Sequence, residues 1–197
     1  MINNSILGGI VIGLGAMFYV ITGEPYAFTL GILGIVSLGF PLITGYVPLS
    51  TYKQELDLKT LLCTLIGNLI GAGIAGTWLV SIPKGQVIAE KIHTILENKL
   101  SLNWMQMLNS SMITGILIGL GVIAYNKQKG SLLGLLMLLM CIMAFVALGT
   151  DHVVANAFYA IADGAVDIKS ALKMILYSGL GNLIGGIFIG LGIFIGR

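Results

Sequence analysis

Long apolar stretches separated by short polar connections follow one another along the whole chain. A helix that crosses a membrane needs about 20 mostly apolar residues. Six stretches approach or exceed that length, and the predicted spans are about 5–22, 28–50, 60–82, 105–126, 131–162 and 170–196. They occupy most of the 197 residues. The pattern therefore predicts one all-α, multi-pass membrane domain over 1–197, without a separate soluble domain.

The composition supports this reading, since 57% of the residues are hydrophobic and 9% are charged. A soluble domain carries roughly 25% charged residues. The 28 glycines would weaken soluble helices but suit membrane helices, which meet through small residues. An ordinary soluble enzyme, a disordered chain and a nucleic-acid-binding protein are therefore excluded, and the net charge of +2 predicts no nucleic-acid partner.

Two motifs occur twice. Residues 9–15 (GIVIGLG) match residues 115–121 (GILIGLG), and the string GNLIG occurs at 67–71 and again at 181–185. We therefore expect two repeats, about 1–82 and 104–197, of three spans each. Because three is odd, the repeats must insert in opposite orientations, which is the inverted-repeat plan of many channels and transporters.

Spans two and five are interrupted at corresponding places. Span two contains Pro41, Gly45 and Pro48, and span five contains residues 149–156 (GTDHVVAN) within an apolar stretch. Proline removes a backbone donor and disturbs the preceding turn. Broken backbone at membrane depth persists only where it lines a cavity or is buried in protein. Matching breaks in both halves therefore predict a binding or permeation site.

Asp151 and His152 are the acid and the histidine that fall inside a predicted span. An aspartate at the centre of a membrane helix costs about 2.5–3.5 kcal/mol on insertion scales. We expect Asp151 to hold the loop, and His152, which titrates near neutral pH, to handle a proton. The repeated amides Asn68 and Asn182 fit either helix packing or the lining of a pore.

Charge does not orient the chain. The predicted spans leave Lys53, Lys59, Lys127, Lys129 and Arg197 on one side and Lys84, Lys91, Lys99, Lys169 and Lys173 on the other. The positive-inside rule therefore gives a tie. Residues 86–99 are too charged to cross and predict a short surface helix, which lies on the bilayer, caps a vestibule or serves as a solvated connector.

The two cysteines, Cys63 and Cys141, lie in apolar runs with no metal-binding spacing. We therefore expect small buried side chains there, and neither a metal nor another cofactor.

Residues 149–158 (GTDHVVANAF) resemble the fifth-span loop of the formate/nitrite transporter family, Gly-x-Glu-His-x-x-Ala-Asn-Met-x, with Asp151 in place of Glu. Residues 181–186 (GNLIGG) resemble the sixth-span motif of the same family. The resemblance covers essentially the whole chain. It implies a homopentamer of aquaporin-like six-helix protomers, each conducting independently, with both termini cytoplasmic in the cell (inner or plasma) membrane. The implied substrates are small monovalent anions such as formate, nitrite and hydrosulfide.

The resemblance also assigns residues to the substrate pathway and to its constrictions. The pathway set is His152, Asp151, Asn156, Ser50, Thr51, Lys99, Asn182 and Thr114, and the constriction set is Leu38, Leu49 and Phe145. The second-span string of the family, Leu-Phe-Thr-Gly-Asn, is placed on residues 48–52, so that Leu49 replaces the Phe and Ser50 supplies the hydroxyl. Thr114 and Gly115 stand where the family has Cys-Asn, and the amphipathic helix that precedes span one in the family is expected to be missing.

A bare anion crosses apolar constrictions poorly, whereas its neutral acid is far cheaper to desolvate. We expect Lys99 to concentrate the anion and His152, with Ser50, to share a proton with it. Two alternatives remain. An aquaporin-type channel for neutral solutes would show paired Asn-Pro-Ala motifs, which the sequence lacks. A non-transporting assembly subunit would carry no polar residues at mid-membrane.

Overall fold

The computed structural model describes residues 1–128 and 131–196, so that Lys129 and Arg197 of the charge comparison lie outside the described residues. Regular structure in this part of the chain is helical, as predicted. The α-helices are α1 Ile2–Thr22, α2 Thr29–Leu38, α3 Ile43–Lys53, α4 Leu58–Ser81, α5 Gly85–Leu100, α6 Trp104–Lys127, α7 Leu132–Ala147, α8 Val153–Asp163 and α9 Ile168–Ile195, and a single 3₁₀ turn, Pro25–Phe28, precedes α2.

Four helices, α1, α4, α6 and α9, are long and apolar enough to cross a membrane. The 3₁₀ turn with α2, together with α3, forms a fifth candidate, which bends by 52° at its break. Helices α7 and α8 have 16 and 11 residues and divide the predicted fifth span between them. The structure is therefore an apolar, multi-pass helical bundle, while the count of six spans and their inverted arrangement stay predictions.

Polar residues in the connections define where several helices begin. Asp57, Ser131 and Asp167 each accept a hydrogen bond from a backbone N–H in the first turn of the helix that follows. Asn103 and Gln106 form a reciprocal capping box at the start of α6. Such caps satisfy N–H groups that a helix leaves without an internal partner. The few polar residues of this chain are therefore concentrated where helix ends need them.

Glycines bring the long helices together in the same way in both halves. A Cβ on Gly71 of α4 would overlap the carbonyl oxygen of Ile6 in α1. A Cβ on Gly185 of α9 would overlap the carbonyl oxygen of Met112 in α6. The repeated glycine motifs thus mark two equivalent helix crossings, in which the backbones are too close for any side chain.

Helix α5 lies over one end of the bundle, where it contacts α1, α4, α8 and α9. Its apolar side chains Ile88, Ile92 and Leu96 are buried against these helices. Of the three alternatives for this segment, the structure shows a cap over a vestibule, because the apolar face of α5 is covered by protein.

The crossing of α6 and α9 can be tested with a pair of substitutions in one helix. Gly185→Ala should destabilise the protein by about 1–3 kcal/mol or more, because the added methyl group displaces backbone. Gly192→Ala in α9 meets no atom within 4 Å and should be neutral or slightly stabilising. Thermal unfolding in detergent measures both, and equal effects of the two changes would contradict the close crossing.

Candidate functional site

The loop between α7 and α8 is the centre of the site. Gly149 adopts a φ of 66°, a left-handed conformation that glycine reaches without a steric penalty. The N–H of Thr150 then returns to the carbonyl oxygen of Phe145 at 3.2 Å, and α7 ends. His152 is extended, and α8 begins at Val153. This turn places polar backbone in the apolar interior, where each group needs a partner.

Asn182 of α9 supplies several of those partners. Its Oδ1 accepts the backbone N–H of Val153 at 2.9 Å. Its Nδ2 donates to the carbonyl oxygens of Asp151 and Ser111, both at 2.8 Å. One buried amide therefore fastens the start of α8 to α9 and to α6.

Asn68 of α4 makes the equivalent bonds in the first half. Its Oδ1 accepts the N–H of Ile43, the first residue of α3, at 2.8 Å. Its Nδ2 donates to the carbonyl oxygens of Pro41 at 3.0 Å and Ser5 at 2.7 Å. Of the two roles left open for these amides, their hydrogen bonds are those of packing, since both side chains bond to the backbone of a broken helix.

His152 connects the two broken helices. Its Nδ1 accepts the N–H of Ala155 at 3.2 Å and so caps α8, and its Nε2 lies 3.0 Å from Oγ1 of Thr44 in α3. A backbone N–H can only donate, so Nδ1 carries no hydrogen here. In the neutral ring the hydrogen is therefore on Nε2, which donates it to the Thr44 hydroxyl oxygen.

Asp151 is fully buried and is surrounded by donors. Its Oδ1 accepts from Lys99 Nζ at 2.9 Å and from Asn156 Nδ2 at 3.1 Å. Its Oδ2 accepts from the hydroxyl of Ser110 at 2.7 Å, and its own N–H donates back to that oxygen at 3.2 Å. Removing one partner of a buried ion pair typically costs 3–5 kcal/mol, so these contacts hold the loop firmly.

Thr114 holds the neighbouring part of the same loop. Its hydroxyl donates to Oγ1 of Thr150 at 2.7 Å, and Thr150 donates in turn to the carbonyl oxygen of Phe145 at 3.0 Å. Helix α6 therefore contacts the loop through Ser110 and Thr114, which lie one turn apart on one helix face.

Two aromatic rings close the space around the histidine. Phe28 and Phe145 meet edge to face with centroids 5.5 Å apart, and the His152 ring stacks on Phe145 at 5.8 Å. A cavity of about 320 Å³ opens on the side of α5, and we call it the α5 vestibule. Its walls include Tyr19, Phe28, Asn98, Lys99, Phe145, Thr150, His152, Asn156 and Tyr159.

A second cavity of about 320 Å³ lies towards the C-terminal end of α6, and we call it the opposite vestibule. Its walls include Ile32, Leu42, Tyr46, Leu49, Ile118, Asn126 and Ile142. His152 lies in the wall of the α5 vestibule, and Leu42 lies in the wall of the opposite vestibule. Thr44 lies in the wall of a third cavity, of about 360 Å³, together with Ile43 and Asn182.

Most of the residues assigned from the sequence come together at this loop: Asp151, His152, Asn156, Lys99, Thr114 and Phe145, with Asn182 behind them. Leu49 lines the opposite vestibule. Leu38 does not join the constriction, because it is 65% exposed at the end of α2. Ser50 and Thr51 donate to carbonyl oxygens of their own helix at 2.6 and 2.7 Å.

Thr44 is the hydroxyl that the structure places at His152, and the sequence contained its signal. Residues 42–45 read Leu-Ile-Thr-Gly, which fits the second-span string of the family better than residues 48–52 do. The family string was placed six residues too late. The predicted break contained Pro41, Gly45 and Pro48, and in the structure Pro41 lies in the break before Ile43 while Pro48 lies inside α3. Phe28 was missed because nothing in the sequence brings it next to span five.

A second contact ties α5 to the far end of α8. His93 Nδ1 lies 2.7 Å from Oδ1 of Asp163, whose Oδ2 accepts the N–H groups of Ala165 and Val166. The hydrogen bond to Asp163, and the charge of that carboxylate, raise the pKa of His93 above its ordinary value. Helix α5 is thus attached to both ends of α8: His93 contacts Asp163 at the end of α8, and Lys99 contacts Asp151 just before the start of α8.

Comparison with known proteins agrees with this architecture. A family model described as "Formate/nitrite transporter" matches residues 1–195. The chain is 32% identical over 185 residues to "Uncharacterized transporter YrhG" of Bacillus subtilis (strain 168), with coverage of 85% of this chain and 68% of that protein.

Two solved structures share the fold. The chain superposes on "Pentameric formate channel with formate bound" with a TM-score of 0.81 at 21% identity, covering 98% of this chain and 95% of the other. It superposes on "FNT family ion channel" with a TM-score of 0.84 at 20% identity, covering 98% and 88%.

Two broken helices that meet inside a multi-pass bundle are typical of membrane transport proteins, and the family that the chain matches consists of channels and transporters, not enzymes. The family match and the curated relative go further: the chain belongs to the formate/nitrite transporter family, as its loop and sixth-span motifs predicted. Membership of this family takes the place of the two alternative interpretations, an aquaporin-type channel and a non-transporting subunit.

The contact of His93 with Asp163 predicts a pH-dependent attachment of α5. Because the pKa of His93 is raised in the folded state, the stabilisation is complete below the unfolded pKa and is lost as pH rises through the folded pKa. Hydrogen exchange in α5, corrected for intrinsic rates, should therefore lose protection over that range in the wild type. His93→Gln should show no such transition, and a transition of equal size in this variant would contradict the assignment.

Proposed function

We propose that this protein is a channel or transporter through which small monovalent anions of weak acids, such as formate, nitrite or hydrosulfide, cross the cell membrane with a proton shared at His152. The observation that carries the proposal is the hydrogen bond between His152 and Thr44. It joins the first turns of α3 and α8 in the wall of the α5 vestibule, which His152 lines.

The apolar rings make the protonation of the permeant necessary. Phe28 and Phe145 are 1% and 2% exposed, and their ring centroids are 5.5 Å apart. An ion that passes them must shed water without gaining comparable partners, which costs far more than moving a small neutral acid. A site that favours the protonated form of the anion therefore lowers the barrier more than one that only attracts charge.

Thr44 and His152 can offer a hydrogen bond to the permeant as a hydrogen-bonded chain, in which the neutral ring keeps its own proton and the chain favours the protonated permeant. Since the Nε2–H of His152 donates to the Thr44 oxygen, the Thr44 hydroxyl hydrogen can point at a permeating anion. Donors linked in a chain polarise one another in a low-dielectric interior. The N-terminal ends of α3 and α8 add partial positive charge at the same depth. Together they favour an anion briefly, without a fixed full charge that would trap it.

Lys99 takes a different role from the one expected from the sequence. Its ammonium is 2.9 Å from Asp151, so its charge is matched by a carboxylate. We infer that Lys99 neutralises Asp151, which would otherwise repel anions from the α5 vestibule, and that both side chains position the His152 loop.

The assembly follows from the relatives. A structure with this fold is described as a pentameric formate channel with formate bound. We therefore propose a homopentamer in which each protomer carries its own pathway.

The role of Thr44 can be separated from that of other hydroxyls in α3. Thr44→Val keeps the shape of the side chain but removes the hydroxyl that accepts the Nε2–H of His152. Leaving a buried donor without a partner costs about 1–3 kcal/mol. Formate flux into proteoliposomes should therefore fall about tenfold or more. Thr51→Val is the matched control, because its hydroxyl bonds only to its own helix. Equal losses in the two variants would remove Thr44 from the pathway.

The proton role of His152 is tested by the pH dependence of flux. His152→Asn keeps a side-chain acceptor for the cap of α8, and His152→Ala removes the cap as well. After subtraction of flux into protein-free vesicles, formate uptake by both variants should lose the rise towards low pH that the wild type shows. If His152→Asn retains the wild-type slope of flux against pH, the proton-sharing proposal is wrong.

A further inference from the structure

The orientation of the Asn156 amide is fixed by its neighbour. Asp151 is paired with Lys99 and is therefore a carboxylate, which accepts hydrogen bonds and cannot donate them. The amide group 3.1 Å from Asp151 Oδ1 must then be the Nδ2 of Asn156. The amide oxygen of Asn156 consequently points away from the ion pair.

That oxygen has no hydrogen-bond partner among residues 1–128 and 131–196, although Asn156 is fully buried. A buried acceptor without a donor is costly, and such groups in native proteins call for a functional explanation. Asn156 lies in the wall of the α5 vestibule, beside Thr150 and His152. The vestibule, at about 320 Å³, is large enough to hold a small acid.

We propose that the amide oxygen of Asn156 is a specificity determinant that accepts a hydrogen bond from the proton-bearing form of the permeant in the α5 vestibule. This inference rests on the proposed function and adds the selection step. It assigns to Asn156 a preference for solutes that present an O–H or S–H group before they reach the aromatic rings.

The chemistry of the permeants gives the oxygen its discriminating power. Formate and nitrite present only acceptor oxygens, which a carbonyl oxygen repels, whereas formic and nitrous acids each present one O–H donor. Nitrate is similar in size and planar, but it has no protonated form near neutral pH. A site that needs a donor rejects an analogue without one strongly, because its own polar group is left unpaired. No bond to hydrogen breaks in this step, since the acid only donates a hydrogen bond.

The test compares formate with nitrate in proteoliposomes that contain the full chain. The ratio of formate flux to nitrate flux is measured from pH 5 to 8 for wild type, Asn156→Leu and Asn156→Ala. Leucine removes the amide and fills its volume, and alanine removes the amide and leaves its volume empty. Both variants should lower the ratio at low pH by about tenfold or more. Ser110→Ala, which removes a different donor to Asp151, should keep the wild-type ratio.

The outcomes separate this inference from the function beneath it. If the wild type carries formate without any dependence on pH, the proposed function fails first. Size-exclusion chromatography in detergent checks that the Asn156 variants are folded and assembled. If wild-type flux depends on pH, and both Asn156 variants elute as the wild type does and keep the wild-type ratio of formate to nitrate flux, the selection role of Asn156 is wrong. If Ser110→Ala lowers the ratio as much as the Asn156 variants do, the effect comes from Asp151, and the inference is also overturned.

Discussion

The fold depends on how backbone groups are satisfied where a helix breaks in an apolar interior. At each break the regular hydrogen bonds of the helix are interrupted, and backbone N–H and C=O groups are left without helical partners where water cannot reach them. Asn68 and Asn182 receive and donate these bonds, each from the middle of a long helix. The positions of α3 and α8 follow from those amides, and so does the meeting of their first turns. Two side chains of one type therefore determine where the centre of the protein lies.

The polar loop is nearly neutral as a whole. The charges of Asp151 and Lys99 cancel, since the two groups are 2.9 Å apart, and Ser110 donates to the second carboxylate oxygen of Asp151. His152 accepts a hydrogen bond at one ring nitrogen and donates one at the other. Around it lie aromatic and aliphatic side chains. This combination explains how polar groups persist at membrane depth, since each is paired locally, and it suits a pathway that must not hold ions tightly.

Much of this could be predicted from the sequence. The glycine repeats marked the two crossings, and the loop motif marked Asp151, His152 and Asn156. Thr44 was missed because the family string was placed on residues 48–52, which made Ser50 the hydroxyl. Pro48, one of the residues expected to break the span, lies within α3 and packs against Gly119 and Gly186 of neighbouring helices. The sequence did not predict that Lys99 pairs with Asp151, or which helices α5 packs against. An amphipathic pattern shows that one face of a helix is buried, but it does not identify the partner of that face.

The cap on α8 has a consequence for the histidine. Nδ1 of His152 is occupied by the N–H of Ala155, so a second proton can enter the ring there only if that bond breaks and the first turn of α8 loosens. The ionisation state of the ring is therefore coupled to the geometry of the first turn of α8. While α8 stays wound to its first residue, the ring presents a hydrogen only at Nε2, towards Thr44. The helix cap thus also fixes which side of the ring carries hydrogen.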